Sequence, residues 1–90
     1  GEIEEIIFSV AGIVSSAVVG IHNPMLGEDI IAFVECDSRF KGKDFLMKVL
    51  KSKLQPVKIP TRIEVIDKMP KGPTGKILKK ALKELLSEVR

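Results

Sequence analysis

The chain has 90 residues, 44% of them apolar and 30% charged, with one cysteine, four phenylalanines and no tryptophan or tyrosine. That supports one small aliphatic core and excludes a second domain, a disulfide framework, a disordered composition and an aromatic platform for nucleic-acid bases. The formal charge of +3 hides a division: residues 1–40 carry seven acidic side chains and one basic one, whereas residues 41–90 carry five acidic and fourteen basic ones.

A basic half of this kind fits an anionic partner such as a phosphate, a nucleotide, nucleic acid or a membrane surface. It equally fits lysine-rich helix faces turned to water. No apolar run approaches the roughly 20 residues that span a bilayer, and the acidic, periodic opening GEIEEII is not a signal peptide. The lone Cys36 fits a reducing, cytoplasmic compartment. Because the chain opens on Gly1 rather than Met, a piece of a longer protein is expected.

The first element is a short helix. Ile3, Ile6, Ile7 and Val10 fall on one face of a 3.6-residue repeat, with Glu2, Glu4 and Glu5 in the first turn and Gly12 as the stop. Ser15–Ile21 is a β-branched run of strand length, ended by the turn signal His22-Asn23-Pro24. Asp29–Cys36 is a second apolar run, read as a central strand, so that residues 22–29 form a loop between antiparallel neighbours. Residues 43–54 form an amphipathic helix striped by Phe45, Leu46, Val49, Leu50 and Leu54, ended by Pro56. Arg62–Ile66 is a third strand. After a loop dense in proline and glycine, a last helix begins near Thr74 or Lys76, striped by Ile77, Leu78, Ala81, Leu82, Leu85, Leu86 and Val89. This order predicts a two-layer α+β domain, with a small, mostly antiparallel three-stranded sheet and about three helices.

The segment Pro70-Lys-Gly-Pro-Thr-Gly-Lys76 is the one stretch that looks built for a task. Its glycines allow close backbone approach, its prolines stiffen it, and Lys76 is expected at the start of a helix, where free N–H groups favour an anion. A plain turn leading into a helix accounts for the same glycines and prolines. A Walker A loop does not: Pro70 and Ile77 stand where that motif requires Gly and Ser or Thr. His22, the only histidine, reads as a solvated loop residue, because a metal site needs several ligands. Cys36 reads as a thiol without a catalytic role, and no Ser-His-Asp set, carboxylate pair or CxxC is present. One poised cation and a basic surface make half a site.

The stretch Asp67-Lys-Met-Pro-Lys-Gly-Pro-Thr-Gly-Lys-Ile-Leu-Lys79 resembles the last core motif of the adenylate-forming enzymes, the family of acyl-CoA synthetases, peptide-synthetase adenylation domains and luciferases. Ser16-Ala-Val-Val-Gly-Ile21, Gly27-Glu28, Ile31-Ala-Phe-Val34 and Leu54-Gln-Pro-Val-Lys-Ile-Pro60 are similar to further stretches of that family, in family order and over nearly the whole chain. Two positions depart from the pattern: Val57 stands at the family's Tyr, and His22 at its common Pro.

The resemblance implies a single C-terminal lid domain over residues 1–90, with the large N-terminal domain and the hinge outside the chain. Such enzymes join a carboxylic acid to ATP, with Mg2+ expected beside the nucleotide, and then pass the acyl group to coenzyme A or a carrier-protein pantetheine. It implies that Lys76 is the adenylation lysine, that Thr74 and Gly75 border the nucleotide, and that Lys51 contacts coenzyme A. It implies no metal ligand in this chain, no nucleic-acid partner, no membrane span and no activity for the domain alone. Two other readings stay open: a stand-alone basic module binding nucleic acid or a partner protein, and a separately encoded lid acting in trans.

Overall fold

A computed structural model of the chain describes residues 1–25 and 27–89, and for residues 23 and 87–89 it describes the backbone. The element order is α1 (Glu2–Phe8), β1 (Ile13–Asn23), β2 (Gly27–Cys36), α2 (Lys43–Lys53), a 3-10 turn (Pro56–Lys58), β3 (Arg62–Val65) and α3 (Lys79–Val89). The class is α+β, with the expected three helices and three strands.

β1 and β2 form an antiparallel hairpin in register from Ile13↔Cys36 to Asn23↔Gly27, with an irregularity between Ile13 and Ser15. β3 lies parallel to β2, from Ile31↔Arg62 to Val34↔Val65, so the sheet order is β1-β2-β3. A parallel pair needs a long crossover, which α2 supplies. The expected eight-residue loop over 22–29 is not there. His22 lies in β1 opposite Glu28 in β2, and strand pairing runs out to Asn23↔Gly27. Polar residues remain in the ladder at a hairpin tip where both faces meet water, and pairing stops where Pro24 has no N–H to give.

β2 explains the layering. Ile31, Ala32, Phe33 and Val34 are all buried, and successive side chains of a strand point to opposite faces. Ala32 and Val34 join one core with Ile7, Val10, Ile13, Leu46, Leu50, Leu54 and Ile63, beneath α1 and α2. Ile31 and Phe33 join a second core with Ala17, Val19, Met69, Leu82 and Leu86, beneath α3. Helices therefore cover both faces of the sheet, where two layers were expected.

α1 ends at Phe8, earlier than Gly12, which serves a different purpose. Gly12 has φ +92°, and a Cβ there would run into the backbone nitrogen of Phe40. The Asp37 N–H bonds to the Gly12 carbonyl at 2.8 Å, so only glycine lets the two segments cross this closely. α2 buries Leu46 and Leu50, but Phe45, expected in the stripe, is 39% exposed, with the Lys41 ammonium 5.3 Å from its ring centroid. That cation–π contact covers the ring in place of the core.

α3 begins at Lys79, later than either expected start. Leu82 and Leu86 are buried, whereas Leu78 and Leu85 are exposed, so the buried stripe is narrower than the apolar pattern. Val89, the last residue of the expected stripe, lies outside the described side chains. Among the described residues, no helix is long and apolar enough to cross a membrane.

Candidate functional site

Residues 70–78 do not continue into the helix, because their backbone groups are already used in a small hairpin. The Leu78 N–H bonds to the Pro70 carbonyl at 3.0 Å, Lys71 bridges Ile77, and the Gly72 N–H bonds to the Lys76 carbonyl at 2.8 Å. At the tip, the Gly75 N–H bonds to the Gly72 carbonyl at 2.9 Å, which makes Gly72-Pro-Thr-Gly75 a four-residue turn. Pro73 sits where its fixed φ presets such a turn. Among the described residues positive φ occurs only at glycines, so Thr74 is not in the left-handed region and a type II turn is excluded. Gly75, at φ +84°, takes the left-handed position that closes a three-residue hairpin loop.

This geometry directs Lys76. Its neighbour Ile77 packs against the core beneath α3, so the adjacent side chain turns outward. Lys76 is exposed and makes no ion pair or side-chain hydrogen bond among the described residues. Lys68, Lys71, Lys79 and Lys80 are exposed in the same stretch of chain, so the field here is positive. The expectation that Lys76 stands at a helix N-terminus is corrected: the helix starts at Lys79, and the support of the ammonium is the hairpin, not a helix dipole.

Thr74 and Gly75 are exposed at the tip, next to Lys76 in the same turn. Lys51 is exposed in the last turn of α2. The structure does not bring Lys51 and Lys76 together, since α2 covers one face of the sheet and the hairpin and α3 the other. Cys36 is a half-buried free thiol at the end of β2, and His22 is exposed. Among the described residues, no group of three or more His, Cys, Asp or Glu side chains is placed to hold a metal ion. Away from the hairpin, the hydrogen bond from the Arg39 guanidinium, backed by that from the Arg39 N–H, holds the Asp37 carboxyl below its ordinary range. The same contact raises Arg39.

One residue of the site went unread in the sequence. Glu35, half-buried in β2, accepts a hydrogen bond from the Met69 N–H at 2.8 Å, just before the hairpin root. The available signal was its place in the row Ile31, Phe33, Glu35, where a carboxylate continues a core-facing line.

The family of AMP-binding enzyme C-terminal domains matches residues 2–76, a match that ends on Lys76. The chain belongs to that family, and the resemblance to the C-terminal domain of an adenylate-forming enzyme is borne out. It is 33% identical over 86 residues to the long-chain-fatty-acid–CoA ligase FadD13 of Mycobacterium tuberculosis, a match covering 96% of this chain and 17% of the ligase. It is 36% identical over 89 residues to the human mitochondrial acyl-coenzyme A synthetase ACSM1, covering 92% of this chain and 15% of that protein. Among solved structures, a Mycobacterium tuberculosis fatty acyl CoA synthetase superimposes with TM-score 0.88 at 32% identity, over 98% of this chain and 18% of that one. ATP-bound MatB from Rhodopseudomonas palustris gives TM-score 0.88 at 28% identity, over 98% and 18% of the two chains. The chain thus spans about one sixth of the length of the curated relatives it matches.

Proposed function

We propose that this chain is the mobile C-terminal lid of an acyl-CoA synthetase, and that Lys76 serves its first half-reaction. In that reaction a carboxylate oxygen of the acid bonds to the α-phosphorus of ATP and pyrophosphate leaves. Charge builds on the acyl and α-phosphate oxygens, where an ammonium held ready in a closed, dry site stabilises it. The observation that carries the reading is the presentation of Lys76: an exposed ammonium without an ion pair, on a turn stiffened by Pro73 and closed by Gly75, at the last core motif of the family. Thr74 and Gly75, beside it in the same turn, border the nucleotide.

In the second half-reaction the thiol of coenzyme A, or of a carrier-protein pantetheine, bonds to the acyl carbon and AMP leaves. Here the lid turns its other side to the site, and Lys51 meets the phosphates of coenzyme A. The separation of Lys51 and Lys76 onto elements covering opposite faces of the sheet supports this division of labour. The acyl pocket and any ligands of Mg2+ lie in the larger N-terminal domain, with the hinge between it and the lid, so the lid alone is inactive. A cytoplasmic setting fits its free thiol.

The test is Lys76→Ala in the ligase that carries this domain, read by acid-dependent ATP–pyrophosphate exchange. Loss of one such donor costs about 3–4 kcal/mol of barrier, so exchange falls by about 10²–10³. Exchange near the wild-type rate overturns the reading.

A further inference from the structure

The hairpin that carries Lys76 is stiff within itself, but a stiff hairpin can still pivot about its root. On its outgoing strand Ile77 packs against the core beneath α3, and on its incoming strand the root has two attachments to the body of the domain, both through Met69. One is the Met69 side chain, 2% exposed and packed in the core with Phe33 and Leu82. The other is the Met69 N–H, which donates to the Glu35 carboxylate at 2.8 Å across a separation of 34 residues. Only Pro70 lies between Met69 and the rungs that close the hairpin at Lys71↔Ile77. A buried side chain fixes where Met69 sits, and the hydrogen bond fixes the direction in which the chain leaves it. An ionised acceptor makes such a bond shorter and stronger than a neutral one.

The cost side supports the same conclusion. Glu35 occupies the face of β2 that Ile31 and Phe33 devote to the core, and it is half-buried there. An apolar side chain in that place would bury area without the desolvation cost of a carboxylate.

We propose that Glu35 is a positioning residue for adenylate formation: by holding the Met69 amide it sets the root of the 70–78 hairpin and so the reach of Lys76. The proposal rests on the reading of Lys76 as the adenylation lysine. It separates Glu35 from the residues that touch substrate, since Glu35 acts through the backbone of another segment.

Three variants test it in the ligase that carries this domain. Glu35→Gln keeps an oxygen that accepts from the Met69 N–H, and Glu35→Ala removes it. Misplacing a reacting group by about 1 Å costs up to about 10²-fold, so Glu35→Ala is expected to lower the rate of ATP–pyrophosphate exchange by about 10- to 100-fold, mainly in kcat. Glu35→Gln is expected to stay within about threefold of wild type, and thioester formation from a supplied acyl-adenylate is expected to be unchanged in both. Combining Glu35→Ala with Lys76→Ala is expected to add nothing to the loss from Lys76→Ala alone, because both act through one group, whereas general damage to the fold would add. In the 90-residue chain, Met69 amide exchange is expected to quicken in Glu35→Ala and not in Glu35→Gln.

An additive double variant, an equal loss in Glu35→Gln, or full exchange activity once the Met69 amide has lost its protection overturns the proposal. If Lys76→Ala alone leaves exchange intact, the reading of Lys76 fails instead, and the Met69 amide still decides whether Glu35 holds the root.

Discussion

Gly75→Ala isolates what the turn contributes. Gly75 has φ +84°, and a Cβ built there meets no atom within 4 Å, so the substitution introduces conformational strain and no clash. An L-residue in the left-handed region costs about 1–2 kcal/mol. The hairpin is local, and it can release that strain by opening its own rungs without unfolding the domain. The expected signature is faster amide exchange at Gly72 and Leu78, by about 5- to 30-fold, the factor equivalent to 1–2 kcal/mol. The thermal midpoint is expected to fall by no more than about 4–8 °C for each kcal/mol borne by the whole domain. Gly75→Asn is expected to lie between Ala and wild type, since Asn enters the left-handed region more readily.

Gly12→Ala is the control. Gly12 shares a positive φ, but its Cβ would strike the Phe40 backbone, which cannot rotate away. Strain and overpacking together are expected to cost about 2–5 kcal/mol, read by urea denaturation of the 90-residue chain. Equal costs at Gly12 and Gly75, or unchanged exchange at Gly72 and Leu78 in Gly75→Ala, would refute the reasoning.

Leu82→Ala removes a side chain that is 0% exposed in the core beneath α3 and is expected to cost about 2–5 kcal/mol in urea denaturation. Leu78→Ala, at a position 45% exposed, is expected to cost less than about 1 kcal/mol, although the sequence pattern places both in one stripe. For Asp37, whose folded pKa is lowered below the ordinary 3.8, the contribution is present above that ordinary value and is lost as pH falls through the folded one. Asp37→Asn is therefore expected to be less stable than wild type at neutral pH, and a series of melts at falling pH should show the gap closing below about pH 4.

The legible parts of this chain were those where one local signal decides the outcome. The apolar run of β2 marked a central strand because burial on both sides leaves no polar alternation, and the motif around Lys76 was visible as a cluster of glycine, proline and lysine. What the sequence hid was settled by competition between segments. The start of α3 shifted to Lys79 because residues 70–78 spend their backbone hydrogen bonds on each other, which periodicity does not report. The loop over 22–29 contracted because backbone pairing is indifferent to the polar residues along it. Phe45 leaves the buried stripe because its cover, Lys41, comes from outside the helix that Phe45 belongs to. Glu35 escaped notice because its value lies in a contact made 34 residues away, with a backbone group that has no sequence signature.

The most direct test of a two-sided lid is to run both half-reactions on two variants of the ligase. Lys76→Ala is expected to lose adenylate formation, yet to form the thioester from supplied acyl-adenylate and coenzyme A at the wild-type rate. Lys51→Ala is expected to keep pyrophosphate exchange and to raise the KM for coenzyme A. If either variant damages both half-reactions equally, the two lysines do not serve separate steps.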